Sequence, residues 1–281
     1  MNIYIKNSRR CFFLFCAFSL LLSCSADEKQ TVTTLDKLVL QDEFNIDGAP
    51  DSALWNYDIG KGPNGDGWGN NELQYYTDRP ENIIVENGML KITAIRELYM
   101  GSGFTSARIT TKGKFEQQYG RFEARMKLPS GKGLWPAFWM LGNNIDTVNW
   151  PQCGEIDIME NKGSQPITVS GALHGPVYTE DSSYIDSYFV TKAYSFTNSR
   201  VDTDFHIYGI EWGPNYVNFY VDNVLYNQIT PEKLTTGEWV FNSNPFYMLL
   251  NLAVGGNFDG SPNSDTVFPQ EMLVDYVRVY Q

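Results

Sequence analysis

An all-β sandwich or barrel is the fold class this sequence predicts, and three observations predict it. The stretch "IIVENGMLKITAI" (83–95) joins two apolar runs through Asn87-Gly88, a pair suited to a tight hairpin turn. Further on, "FHIYGIEWGPNYVNFYVDNVLYNQI" (205–229) breaks into strands at Gly213-Pro214-Asn215 and Asp222-Asn223. No stretch of ten or more residues shows helical periodicity, so helices are confined to single turns such as "TPEKLT" (230–235). Two more strands read out of "FYMLLNLAV" (246–254) and "MLVDYVRVYQ" (272–281). Many strands spaced by Gly, Pro and Asn turns make a sandwich or barrel. Aromatic residues reach 15%, more than a core alone requires, so some of them are expected to line a surface.

Taken from its start, the chain opens with Lys6, Arg9 and Arg10, then an apolar run from Cys11 to Leu22. Twelve residues are too few for a membrane span, which needs about 20. A basic start and a short apolar stretch describe a secretory signal over residues 1–23. Its end, Leu21-Leu22-Ser23-Cys24, resembles the lipobox of bacterial lipoproteins, which implies lipidation at Cys24 and a polar tether over 24–34. An ordinary signal cleaved nearby is the alternative. Losing residues 1–23 takes three of 21 cations and no acids, leaving 18 against 33, a net charge of −15. Such an acidic chain argues against nucleic acid or anionic membrane as a partner. Cys153 is then the one cysteine left besides Cys24, so no intramolecular disulfide forms. Residues 35–281 show no repeat and no linker and read as one domain.

Within it, "GEIDIMEN" (154–161) sets three acids among apolar residues. On a strand, Glu155 and Asp157 share a face, and Glu160, five residues from Glu155, points the other way. A β-bulge at Ile158-Met159 returns Glu160 to the first face. The two glutamates are then about 13 Å apart at Cα (four regular steps at ~3.3 Å), a gap that long side chains can close. Paired carboxyls of this kind serve retaining glycoside hydrolysis, one as nucleophile and one as acid/base. Asp157, between and beneath them, would hydrogen-bond Glu155 and hold it in place. Three carboxyls on one face cannot all ionise cheaply. The proton is assigned to Glu160, leaving Glu155 as nucleophile. The alternative is an edge strand with its charges in solvent and Ile156 and Ile158 turned inward.

Upstream, "GLWPAFWML" (133–141) puts Trp135, Ala137 and Trp139 on one face, two indoles flanking a small residue. Indoles stack on the apolar faces of sugar rings, although both could equally belong to a core. Trp150, just before the acidic strand, offers a further platform.

Together "GEIDIMEN", "WPAFWML", "WGNNELQYYT" (68–77), "ARITTKGKFEQQYGRFEARMKLP" (107–129), "ALHG" (172–175) and "VDYVRVYQ" resemble glycoside hydrolase family 16, in the family's order. The likeness is to its bacterial laminarinase branch, the endo-β-1,3-glucanases. It implies a β-jelly-roll of two curved antiparallel sheets with a glucan cleft on the concave face. It also implies Glu155 as nucleophile, Asp157 as its helper and Glu160 as acid/base, with no catalytic cofactor. By the same likeness Trp135, Trp139 and Trp150 match sugar-stacking positions, and Asn71, Arg108 and His174 match contacts to sugar hydroxyls. Phe258 departs from the family, whose members often have tryptophan after "GGN".

The resemblance further implies a structural calcium held by Glu43, the Gly88 carbonyl and Asp275. Asp275 is expected to share a face with Leu273, Val277 and Val279, where a carboxylate needs a partner, either calcium or a cation in a salt bridge. The expected protein is a monomeric β-1,3-glucanase tethered by lipid to a bacterial envelope, at the outer membrane. Asp27 and Glu28 after Cys24 are similar to surface-export signals. Mixed-linkage glucan or a marine galactan are alternative substrates, and a non-catalytic glucan-binding protein is the rival class.

Overall fold

The computed structural model describes residues 35–281. The expected signal, tether and Cys24 lipidation site fall in 1–34 and lie outside the described residues. Along the chain come β1 (Leu38–Asp42), β2 (Asn56–Tyr57), β3 (Gln74–Tyr76), β4 (Ile83–Glu86), β5 (Met89–Ala94) and β6 (Phe104–Ser106). They are followed by β7 (Arg108–Thr110), β8 (Gly120–Lys127), β9 (Leu134–Gly142), β10 (Glu155–Glu160), β11 (Thr168–Tyr178) and β12 (Tyr184–Ser195). The last are β13 (His206–Gly213), β14 (Tyr216–Val221), β15 (Val224–Ile229), β16 (Phe246–Val254) and β17 (Gln270–Tyr280).

They form two antiparallel sheets face to face, which settles the sandwich over the barrel. One sheet runs β15-β14-β13-β8-β17-β5-β4, with β1 also on β17; the other runs β12-β11-β10-β9-β16-β7-β2. Among the described residues only the short β3–β6 pair is parallel. The hairpin expected at Asn87-Gly88 is present, both residues having the positive φ that such a turn needs. The "TPEKLT" segment makes a single 3₁₀ turn, Pro231–Lys233.

Alternation along the strands explains the packing. From β9, Leu134, Phe138 and Met140 face the sandwich core while Trp135, Ala137, Trp139 and Leu141 face out. Across the interlayer Trp212 of β13 meets Phe246 of β16 edge-on, ring centres 5.0 Å apart. Each such buried side chain contributes about 1.5–3 kcal/mol by burial. β16 is buried along its whole length, because its outer face is covered too. There Tyr247 and Leu249 join Leu141 and Cys153 in a second apolar cluster, against which Trp139 packs. This outer face of the second sheet carries the acidic strand.

Near the end of the chain the pattern differs from expectation. A bulge between Val274 and Tyr276 shifts the register of β17. Val277 and Val279 therefore turn into the core with Val274, and Asp275 stays on the outside with Leu273. The expected face shared by Asp275, Val277 and Val279 does not exist. The carboxylate has its partner all the same, since Arg125 Nη1 donates to Asp275 Oδ2 at 2.7 Å. Glu43 is gripped by Arg278, through Nε at 2.7 Å and Nη2 at 2.9 Å. Gly88 serves its hairpin turn. With both carboxylates taken by guanidinium groups, Glu43, Gly88 and Asp275 do not fit a calcium site here, and the ion pairs supply the partner the carboxylate required.

Candidate active site

The register of β10 answers how three acids share one face. Against β9, Asp157 pairs with Trp139 and Met159 with Phe138, so Ile158 is one residue too many. Against β11, Asp157 pairs with Ala172 and Glu160 with Ser170. The bulge thus sits at Ile158-Met159, as expected, and both of its side chains enter the core with Ile156. Glu155, Asp157 and Glu160 all face outward.

Register also lays out the neighbours in rows across the sheet. Glu160 lies between Ser170 and Ala137, with Asn251 and Arg108 next in line. Asp157 lies between Ala172 and Trp139, and Glu155 between His174 and Leu141. Small residues beside the acids leave the space above them open, while indoles reach in from the flanks. Trp150 Nε1 donates to Glu155 Oε2 at 2.8 Å, and Trp135 Nε1 to Glu160 Oε1 at 2.9 Å. Asp157, almost fully buried, stands within hydrogen-bonding reach of Glu155. His174 Nε2 stands 3.0 Å from Asp157 Oδ2 and 3.9 Å from Glu155 Oε1.

Burial is the main force on the protonation of these acids. It pushes Glu155 up to about 8, aided by the charge of Asp157 and opposed by His174 and Trp150. It pushes Glu160 up to about 7, aided by Glu155. Asp157 is raised well above the usual carboxylate range by burial and then by Glu160. The sequence alone assigns the proton to Glu160. In the structure Glu155 is just as enclosed, so burial does not by itself select the acid. The set titrates as a unit.

The remaining expected residues fall in three places. Trp135, Trp150 and His174 adjoin the acids. Trp135 also packs on Phe258, ring centres 4.9 Å apart, so phenylalanine at the departure from the family backs an indole. Asn71 is exposed and bonds Asn257 Oδ1 at 3.0 Å, which ties it to the turn bearing Phe258. It is presented by the tight turn Gly67–Asn71, where Gly67 has φ +71 and a Cβ would lie 2.4 Å from the Glu72 backbone nitrogen. Arg108 and Trp139 instead engage each other. The Arg108 guanidinium sits 4.4 Å from the ring centre of Trp68 and 4.8 Å from that of Trp139, between the two indoles. Its Nε is 2.8 Å from Asp58 Oδ2. Trp139 donates to Asn251 Oδ1 at 2.7 Å. One face of Trp139 is therefore occupied by an arginine.

Three residues at the site escaped the sequence reading. Phe189, 66% exposed, is the cross-strand partner of His174 and stacks on it with ring centres 5.8 Å apart. Trp68 opens the "WGNNELQYYT" segment, where its residue type alone assigns it no role. Asn251 is a polar residue within the apolar run "FYMLLNLAV", a signal that was there to be read. Buried Cys153, its thiol pushed up to about 12 chiefly by burial, is a packing residue.

Residues 70–278 match the family described as Glycosyl hydrolases family 16. The chain belongs to that family. A beta-glucanase of Rhodothermus marinus is 42% identical over 98% of this chain and 96% of its own length. The laminarinase catalytic domain of Thermotoga maritima superposes with a TM-score of 0.79 at 48% identity, covering 87% of this chain and 98% of that one. A Zobellia galactanivorans protein solved with laminaritriose and laminaritetraose is 35% identical, over 88% and 100% of the two chains, at a TM-score of 0.76. As a family 16 member the chain is a glycoside hydrolase, and its two-sheet architecture is the family's jelly-roll.

Proposed function

We propose that the protein cleaves internal β-1,3 linkages of laminarin-type glucan with retention of configuration. One observation carries this reading: the bulge at Ile158-Met159 sets Glu155 and Glu160 on one open face, each hydrogen-bonded to a flanking tryptophan. Glu155 attacks the anomeric carbon while Glu160 protonates the leaving oxygen. Glu160 then takes a proton from water, which releases the sugar from Glu155 with a second inversion. Asp157, beside Glu155 on the same face, holds it in place. Trp135 and Trp150 bind sugar faces, and His174, Asn71 and Phe189 stand where hydroxyls and rings of the chain would pass. Laminarinase and endo-glucanase relatives support β-1,3-glucan as the substrate. The Cys24 motif supports an enzyme tethered by lipid to a bacterial envelope, at the outer membrane.

Proton NMR of fresh laminarin digests tests the chemistry. The β-anomer should appear first, and an α-anomer first would remove Glu155 as nucleophile. Parallel digests of lichenan, agarose and carrageenan test the substrate, with laminarin expected to be cut fastest.

A further inference from the structure

Beyond hydrolysis, the geometry points to a transition-metal site built from Glu155, Asp157 and His174, one that takes Zn²⁺ and in doing so closes the active site. The three offer one donor atom each, all within 4.8 Å of one another. Among the described residues no other group of three or more acidic, histidine or cysteine side chains comes together in this way.

An independent feature marks the spot. Asp157 is only 3% exposed, yet its Oδ2 has no hydrogen-bond partner, although His174 Nε2 lies 3.0 Å away. The two atoms are close but misaligned for a hydrogen bond. A buried carboxylate oxygen without a donor destabilises the fold. A cation placed among the three groups would satisfy it.

The donor chemistry selects the ion. Imidazole nitrogen and carboxylate oxygen are both donors that zinc accepts, and three of them leave a fourth tetrahedral position open. Ligand bonds of about 2.0–2.2 Å in a tetrahedron set neighbouring donors roughly 3.3 Å apart. The observed 3.0 Å and 3.9 Å bracket that edge, so small side-chain rotations suffice. Calcium needs six to eight oxygens and magnesium an octahedron of them, and neither suits an imidazole corner. Trp150 already occupies Glu155 Oε2 and leaves Oε1 on the His174 side. Binding needs its carboxylate ligands ionised and ties up Glu155, the proposed nucleophile. Glucan and metal would therefore compete.

The chain has two histidines, which makes the site assignable. His206 has both ring nitrogens engaged, Nδ1 with Asp222 at 2.5 Å and Nε2 with Ser199 at 2.9 Å. Calorimetry of the full-length, chelator-treated protein in mild detergent, titrated with Zn²⁺ alone, is the direct experiment. One equivalent should bind, His174→Ala and the near-isosteric Asp157→Asn should each weaken it at least tenfold, and a laminarin oligosaccharide should displace it. Co²⁺ should give the visible bands of a four-coordinate site in wild type and lose them in both variants. Glu160→Gln should keep zinc affinity within about threefold while losing hydrolysis, so the metal site and the hydrolytic reading are tested separately. Absence of saturable Zn²⁺ binding, equal binding of Ca²⁺ or Mg²⁺, or undiminished affinity in folded His174→Ala and Asp157→Asn would overturn the site.

Discussion

Trp150 donates its indole N–H to Glu155 Oε2 across 2.8 Å, so the half-exposed indole proposed as a sugar platform is also a partner of the proposed nucleophile. That hydrogen bond favours the ionised carboxyl and opposes the rise caused by burial. Trp150→Phe keeps an aromatic face and removes the donor. The pH at which kcat/KM rises should move upward, while KM for laminarin grows only a few fold. A pH profile of both proteins checks this, and an unmoved rise would show that the bond does not tune Glu155.

Raised carboxyls also link stability to pH. Glu155 and Glu160 in the folded protein hold protons up to about 8 and about 7, whereas the unfolded chain releases them in the ordinary carboxylate range. Between those limits the folded state binds more protons, so stability falls as pH rises and the loss is complete above about 8. Glu155→Gln removes one of these ionisations. Its advantage over wild type should be near zero at about pH 4 and grow to roughly 1–3 kcal/mol by about pH 8, on the order of 2–4 °C in Tm per kcal/mol. Thermal melts across that range provide the check, and a gap that shrinks with pH would contradict the assigned direction.

The acidic face was legible because strand periodicity and one inserted residue suffice to place Glu155, Asp157 and Glu160. The same rule missed the bulge before Tyr276, because Asp275 next to apolar neighbours looks like any alternating strand. Hydrophobic pattern shows which residues share a face and says nothing about what crosses between strands distant in sequence. Hence Trp139 was readable as a platform, while the arginine over it, the Trp68 behind that arginine and the Asn251 beneath were not. Phe189 was hidden for a similar reason, since only the β11–β12 register brings it to His174.

Arg108, set between the indoles of Trp68 and Trp139, is expected to act by holding Trp139. A guanidinium between two indoles is worth about 0.5–2 kcal/mol beyond packing, and a lysine cannot reproduce its planar stacking. Arg108→Lys should raise KM for laminarin roughly 2- to 30-fold and change kcat much less. Steady-state kinetics distinguish this from a direct part in the chemical step, in which kcat would collapse at unchanged KM.

At the other end of the chain, the tether reading predicts that Cys24→Ala moves the protein from the membrane fraction to the soluble one. One acyl chain anchors only marginally, so the attachment in wild type is expected to use several. Fractionation with a labelled lipid precursor reads both attachment and modification. Membrane association that survives the substitution would leave an ordinary signal segment as the better account.

The bulge and the inserted residue cancel each other, and that cancellation can be tested from both sides. Deleting Met159 leaves Glu-Ile-Asp-Ile-Glu, a regular alternation that needs no bulge and still turns the second glutamate outward. The variant should hydrolyse laminarin with the same β-anomer first. It should also melt earlier, because a buried methionine is worth about 2–5 kcal/mol against its absence. Inserting one alanine after Met159 does the opposite. The added residue takes the outward position and drives Glu160 toward the core, where a carboxylate has no partner. That protein should lose turnover, and any folded fraction should keep affinity for laminarin through Trp135 and Trp150. If the deletion variant were folded and inactive, the bulge would do more than restore phase: its local twist would itself aim Glu160 at the glycosidic oxygen.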